Sequence, residues 1–522
     1  MKQKRLRGSA LAGLLLTVLP ARAPAAEAAG AARPNIIFIL ADDIGYGDFG
    51  CYGARRVKTP NVDRLAREGM RFTDAHATAS LCTPTRYSFL TGQYAWRHPA
   101  AVSVLSGEAP LAIDTNTVTT PLVLRRAGYT TGLVGKWHIG LGQGDLDYNS
   151  DIRPGPLEVG FDYAFFFPAT GDRVPCVFIE NHRVVGLDPK DPIRVSYEEP
   201  VGHEPTGKDH PELLTLKPVA GHLGTIVNGI SRIGFMAGGA AARWKDEAIA
   251  DTLTKKAVAF IEQNRSQPFF LYFATHDIHV PRVPAPRFKG SSGCGVRGDV
   301  IQEFDASVGA VMAALDRLKL ASNTLVIVTS DNGGTVGDGY ADGAGAALNG
   351  HTVNGPLRGF KGSLWEGGNR EPFIARWPGR IPPGSESREL IALVDMLATF
   401  AAAAGEPLPS GAGPDSFNVL PALLGGPRDK PLRAHLVLQT HKIDHLALRQ
   451  GPWKLVPASE GRRKDPPASD SAFQLFNLAD DLRETNNLAA QHPDIVKTMS
   501  ALLTRLRQQG SSAPTRPTAP VP

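Results

Sequence analysis

Apolar residues in this chain fall into short unbroken runs separated by stretches of helical spacing. Asn35-Ile36-Ile37-Phe38-Ile39-Leu40-Ala41 is continuous and rich in β-branched residues, which predicts a strand buried on both faces. It delivers Asp42-Asp43 at its C-terminal end. Leu325 to Thr329 repeats the pattern and delivers Asp331-Asn332. Tyr129 to Val134 leads into Gly135-Lys136-Trp137-His138, and Pro268 to Ala274 leads to His276 and His279. Helices are predicted between these strands at Pro60 to Gly69 and Pro121 to Ala127. Two more carry the faces Ile249, Leu253, Ala257, Ile261 and Ile301, Phe304, Val308, Val311, Leu315, Leu318. The alternation predicts an α/β fold, with a large mixed, mainly parallel sheet sandwiched by helices. Ligands of open α/β sheets bind beyond the carboxyl ends of the strands. Four polar clusters far apart in sequence are therefore expected to converge on one rim.

The C-terminal part reads differently. A helix is predicted from Ser387 to about Ala404, then a Pro/Gly-rich stretch from Gly405 to Pro414. Short strand-like pieces follow at Leu436–Gln439, His445–Leu448 and Trp453–Val456, with a terminal helix near Asp494–Gln508. The expected organisation is a catalytic domain over 33–405, a smaller α+β subdomain over 406–510, and a Pro-rich, disordered tail over 511–522. Met1 to Gly8 is basic, Ser9 to Leu19 is apolar, and Ala21-Arg22-Ala23 or Ala26-Glu27-Ala28 offers a small-residue cleavage site. That order reads as a signal peptide over 1–28, and hence as export to a periplasm or out of the cell. Eleven apolar residues rise only about 16 Å as a helix, too short to cross a membrane.

The chain has 522 residues and a net charge of +5, of which +4 lies in the leader. The remainder is close to neutral, which argues against a nucleic-acid or membrane-surface partner. Four cysteines in this length exclude a disulfide-built scaffold. If Cys82 is used in chemistry, Cys51, Cys176 and Cys294 leave room for one disulfide at most.

Asp42, Asp43, Asp331 and Asn332 offer oxygen ligands only, which suits Ca²⁺ or Mg²⁺ rather than Zn²⁺. His138 and His279 are acid/base candidates, because an imidazole exchanges protons near neutral pH. Leu81-Cys82-Thr83-Pro84-Thr85-Arg86, with Tyr87 to Gly92 after it, is the sharpest motif. With Ala41-Asp42-Asp43, Gly135 to Gly140, His276 to Pro281, Ser330 to Gly333, Lys361 and Glu366 to Pro372, it resembles the sulfatases of the arylsulfatase A type. The resemblance runs along most of the chain.

It implies an alkaline phosphatase-like fold and hydrolysis of sulfate esters, on sulfated carbohydrate. It also implies that Cys82 is oxidised to formylglycine by dedicated machinery during biosynthesis. Ca²⁺ would be held by Asp42, Asp43, Asp331, Asn332 and the modified Cys82. The roles carried over are stabilisation of the aldehyde hydrate by Arg86, a bridge to sulfate by Lys136, and sulfate binding by Lys361. His138 would assist deprotonation of the hydrate, and His279 would protonate the leaving oxygen. The chemistry fits these residue types. A sulfate ester needs cationic donors for its oxygens, a nucleophile for sulfur and an acid for the leaving alkoxide. A hydrated aldehyde has two hydroxyls on one carbon, one to attack sulfur and one to expel the sulfate.

Residues 144–235 and 333–360 read as long and irregular, and such loops usually carry function. Trp96, Arg173, Asp338 and His351 are candidate sugar contacts. The resemblance around Trp96, Arg97 and Arg173 favours galactose or N-acetylgalactosamine sulfates. Two other readings remain. One is a phosphodiesterase or phosphonate monoester hydrolase of the same superfamily, against which Asn332 stands where such relatives carry His. The other is a catalytically inactive glycan-binding homologue.

Overall fold

The structure, a computed structural model, describes residues 33–514 apart from 145, 220, 427 and 461–471. The expected signal peptide and residues 515–522 lie outside the described residues. From Arg33 onward the chain forms one compact unit.

Ten strands make the main sheet. At its centre, Thr324–Ser330, Asn35–Ala41, Phe269–Ala274, Thr130–Lys136 and Tyr163–Phe167 lie side by side and parallel. Phe373–Arg376 runs antiparallel to Thr324–Ser330, and Met70–Phe72 runs antiparallel to Phe373–Arg376. The sheet is thus mixed but mainly parallel. Asn35–Ala41, Phe269–Ala274 and Tyr163–Phe167 are almost continuous apolar runs because helices cover both faces. Ile36, Phe38 and Leu40 face one layer, with Phe89, Leu124 and Phe400 from the helices Cys82–Thr91, Thr120–Arg126 and Met396–Ala404. Ile37 and Ile39 face the other, with Val62, Leu253 and Phe304 from Pro60–Arg67, Ile249–Gln263 and Gly295–Arg317. Each fully buried large apolar side chain contributes about 1.5–3 kcal/mol. Phe38 stacks on Phe89 with ring centroids 4.3 Å apart, so the core of the sheet fixes the helix that begins at Cys82.

A second sheet has four antiparallel strands, His435–Gln439, Leu446–Gln450, Trp453–Pro457 and Phe473–Asn477. The helix Pro493–Gln508 buries Met499, Leu502, Leu503 and Leu506 against it. Two backbone bonds tie this sheet to the segment that leads into the helix Cys82–Thr91. Gln439 N donates to Thr78 O at 3.0 Å, and Ser80 N donates to Gln439 O at 3.0 Å. Behind them lies a buried ionic network. Lys454 Nζ sits 2.8 Å from both Glu366 and Glu484, and Glu366 also pairs with Arg370 at 2.9 Å. Burial alone would raise the Glu366 carboxyl, but Lys454 and Arg449 hold it below the ordinary carboxylate range. Removing one partner of such a buried set leaves an uncompensated charge. Lys454→Met is therefore expected to cost about 3–5 kcal/mol in urea unfolding. A loss under about 1 kcal/mol would mean that the network is replaceable by packing.

Four points of the expected organisation need correction. Residues 144–235 are not wholly irregular: Tyr163–Phe167 is a parallel strand of the main sheet, buried along Ala164 to Phe167. Its Tyr-Ala-Phe-Phe-Phe run is the same two-face-buried pattern as the other central strands. The helix expected from Ser387 begins only at Met396, after a short strand at Ile391–Ala392 and a turn of 3-10 helix at Leu393–Asp395. Asp395 breaks the run, because it accepts from Ala392 N at 2.8 Å and pairs with buried Arg433. The strand Phe473–Asn477 also escaped notice, since Phe-Gln-Leu-Phe-Asn mixes polar and apolar residues. At the start of the expected tail, Ser512 and Ala513 donate to Pro414 O at 3.0 Å, so this part is tied down. No disulfide occurs among the described residues, where all four cysteines are free thiols.

Candidate active site

Asp42 and Asp43 follow the strand Asn35–Ala41, and Asp331 and Asn332 follow its neighbour Thr324–Ser330. Parallel register alone therefore brings three carboxylates and one amide together. Asp43 has a left-handed backbone, with φ of 66°, a conformation costly for a side chain with a Cβ. That turn lets Asp43 N donate to Asp331 Oδ1 at 3.3 Å. Gly45 then packs so closely on the 352–355 loop that a Cβ would lie 2.4 Å from Val353 O. One ligand atom each from Asp42, Asp43, Asp331 and Cys82 can gather within 4.8 Å of one another.

Cys82 is the first residue of the helix Cys82–Thr91, which ends at Gly92 in the left-handed region. The helix N-terminus points its partial positive charge at this point. Arg86 lies one turn on and on the same side. It donates through Nη2 and Nε to Asp331 Oδ2 at 2.7 and 3.1 Å, and through Nη1 to Lys136 O at 3.2 Å. Lys136, at the end of the strand Thr130–Lys136, donates to Asp42 Oδ2 at 2.6 Å. Lys361 donates to Asp43 Oδ2 at 2.8 Å and to Asp338 Oδ2 at 3.1 Å. Cys82 Sγ lies 3.7 Å from Asp42 Oδ1.

Burial would raise the Asp42 carboxyl, yet Lys136, His279, Arg86 and Lys361 around it hold it below the ordinary range. Asp331 goes the other way, raised by burial and by the charge of Asp42. Burial pushes the Cys82 thiol far up, so an unmodified Cys82 stays protonated and is a poor nucleophile. His138 is pushed well down by burial and by Lys136 and is a neutral imidazole at neutral pH. Its Nε2 is 3.0 Å from Leu105 O, an acceptor only, so Nε2 carries the hydrogen. Nδ1 keeps its lone pair and is buried with no protein partner among the described residues. His279 Nδ1 likewise donates to Val280 O at 2.8 Å, leaving Nε2 3.9 Å from Asp43 Oδ2.

The sugar-contact candidates divide. Asp338 is at the centre through Lys361. Arg173 lies beside it, bonded to Thr170 Oγ1 at 2.8 Å, with its charge felt by His138. Trp96 is elsewhere, stacked on Tyr94 at 5.6 Å and under Arg97 in the core of the small sheet. His351 is spent on Asp48, at 2.7 Å, which Arg297 also grips with two 2.6 Å bonds. His276 is buried edge-on against Phe167. Two residues went unnoticed in the sequence. Asp172 accepts from His222 Nε2 at 2.9 Å, and its charge reaches His279. Asp172 lies in a loop already singled out, but nothing near His222 in the chain marks it.

A sulfatase family model matches residues 34–406. The chain is 50% identical over 477 residues to the N-acetylgalactosamine-6-O-sulfatase of Bacteroides thetaiotaomicron, covering 90% of this chain and 92% of that one. It is 33% identical over 498 residues to human arylsulfatase A, covering 92% and 88%. A solved structure from work on glycosaminoglycan metabolism by Bacteroides thetaiotaomicron superposes with a TM-score of 0.87 at 49% identity, covering 92% of this chain and all of that one. With the acidic pairs, the buried cations and Cys82 gathered at the strand ends, these likenesses decide the class: the chain belongs to the sulfatase family and is a sulfuric ester hydrolase.

Proposed function

We propose that this sulfatase acts on sulfated carbohydrate, and on the 6-sulfate of an N-acetylgalactosamine-type sugar in particular. The observation that carries this reading is the 50% identity, over 90% of the chain, to a protein named for that activity. The test is kcat/KM on defined sulfated monosaccharides and disaccharides. N-acetylgalactosamine 6-sulfate is expected to lead the series. A preference for sulfate at another position, or for aryl sulfate over every sugar, would sink it.

The reading includes a hard divalent cation and a formylglycine at position 82. The residues fit both. Asp42, Asp43, Asp331 and Asn332 offer only oxygen, and Asn332 Oδ1 is buried without a hydrogen-bond partner among the described residues. These four side chains, with position 82, would hold Ca²⁺ or Mg²⁺. Such a cation supplies positive charge for sulfate oxygens and makes a nearby hydroxyl more acidic. A buried thiol kept protonated is itself a weak nucleophile, and the hydrated aldehyde made from it offers two hydroxyls instead. Around that centre Lys136 and Lys361 hold the sulfate oxygens, and Arg86 steadies Asp331 and stabilises the hydrate. His138 accepts a proton at Nδ1. His279, protonated at both nitrogens for this step, presents Nε2–H to the leaving sugar oxygen and gives it that proton while Nδ1–H stays on Val280 O. Arg173 and Asp338 are the sugar contacts. The leader over 1–28 directs export.

Chelation is expected to remove activity and to lower the unfolding temperature, both restored by Ca²⁺ or Mg²⁺. At a hundredfold excess over Kd the ion is worth about 2.7 kcal/mol of stability. Elemental analysis that finds one Zn²⁺ per chain, with no response to Ca²⁺ or Mg²⁺, would count against the hard-cation site.

A further inference from the structure

Three residues beyond His279, Arg282 is a buried guanidinium with no part in the chemistry above. Its side chain is fully covered. Nε donates to Ile278 O at 3.3 Å, in the segment that carries His279. Nη1 donates to Val336 O at 3.1 Å and to Asp342 Oδ2 at 2.6 Å, at the two ends of the loop that carries Asp338. One planar group thus spans two segments that meet at the candidate active site. A buried cation on one carboxylate and two carbonyls is held in a fixed geometry, which a flexible ammonium would not reproduce.

Each segment also has its own anchorage. The His279 segment is fastened to the acidic pair without Arg282: Asp42 N donates to Asp277 O at 2.9 Å, and Ile278 N donates to Asp42 O at 2.7 Å. The 336–342 loop leans on a different part of the chain. Val219 N donates to Gly339 O at 2.9 Å, Ala341 N donates to Lys217 O at 2.8 Å, and Tyr340 OH donates to Ser231 O at 2.7 Å. Without the Arg282 fork, this loop keeps its ties to the 217–231 segment, and the Lys361–Asp338 pair at 3.1 Å is left to hold its middle against the centre.

We propose that Arg282 is a positioning residue that sets the 336–342 loop, and with it Asp338, against the sulfate-binding centre, and so governs how tightly a sugar sulfate is seated. The proposal rests on the reading of the substrate as a sulfated sugar. Its signature is a split between substrates and between constants. The sugar touches the loop and a nitrophenyl group does not, while Cys82, Lys136 and His279 stay in place.

The experiment compares wild type, Arg282→Gln, Arg282→Lys, Asp342→Asn and the double variant Arg282→Gln/Asp342→Asn on N-acetylgalactosamine 6-sulfate and on nitrophenyl sulfate, with urea unfolding of each. Arg282→Gln is expected to lose about 100-fold in kcat/KM on the sugar, mainly through KM, as a misplacement of about 1 Å can cost. The loss on nitrophenyl sulfate should be much smaller. Arg282→Lys keeps the pair with Asp342 and should recover part of the sugar KM. Adding Asp342→Asn to Arg282→Gln should cost little more, since both act through one contact. Equal losses on both substrates, after correction for the folded fraction, would reduce Arg282 to a structural role. An unchanged sugar KM in a folded Arg282→Gln protein would also overturn the proposal. A wild type that turns over nitrophenyl sulfate but no sulfated sugar would sink the substrate reading and this inference together.

Discussion

Cys82→Ala is expected to fold and to lose about five to six orders of magnitude in sulfate ester turnover, the scale of removing a nucleophile that acts as part of a unit. The structural cost is small. Cys82 is a buried residue at a helix start, and its Sγ reaches Asp42 only at 3.7 Å. Deleting one atom there costs about 1 kcal/mol. The hydroxyls of Ser80, Thr83 and Thr85 beside it are each committed to a backbone carbonyl. Ser80 Oγ donates to Gln439 O at 3.3 Å, Thr83 Oγ1 to His138 O at 2.8 Å and Thr85 Oγ1 to Ala79 O at 2.9 Å. Steady-state kinetics and urea unfolding check the two halves of the claim. Mass spectrometry of the peptide containing position 82 in active wild type should find hydrogen sulfide lost and one oxygen gained. An ordinary thiol in a fully active sample would refute the formylglycine reading, and wild-type turnover by the alanine variant would remove Cys82 from the reaction altogether.

The second large effect concerns His279. A sugar alkoxide leaves poorly and needs a proton as the S–O bond breaks, whereas nitrophenolate leaves unaided. General-acid catalysis is worth about 10²–10⁴-fold where it is needed. His279→Ala should therefore lose activity on that scale on the sulfated sugar and far less on nitrophenyl sulfate. The geometry gives the ring one free nitrogen for this task, since Nδ1 is committed to Val280 O. Equal losses on both substrates would leave His279 as a contact to sulfate or hydrate and deny it the acid role.

What could be read from the sequence was whatever the chain writes locally. A strand buried on both faces has to be apolar throughout, so Asn35–Ala41 and Thr324–Ser330 stood out, and the acidic pairs behind them came with them. Cys82 and Arg86 are four residues apart, and that spacing is itself a contact on a helix. Long-range partners leave no such mark. Arg86 and Asp331 are 245 positions apart, and only the packing of the helix Cys82–Thr91 on the sheet joins them. The same blindness explains Trp96 and His351. An aromatic or an imidazole in a loop says nothing about the side from which it is approached. Here Tyr94 and Arg97 enclose the first, and Asp48 holds the second. Asp395 shows the complementary case, in which an apolar helical run is interrupted because a carboxylate is needed by Arg433 across the fold.

On the formylglycine reading, the pairing of Gln439 with Thr78 and Ser80 would set a clock on the maturation of position 82. Ser80 precedes Gln439 by 359 residues, so the partner strand does not yet exist when Cys82 is made. At about 5–20 residues per second, Gln439 is synthesised about 20–70 s later. In the finished protein Cys82 is 1% exposed, and Ser80 O also accepts from Gly362 N at 2.8 Å, which closes the segment from a second side. An enzyme that oxidised Cys82 would therefore meet it on a nascent or unfolded chain, before folding covers it.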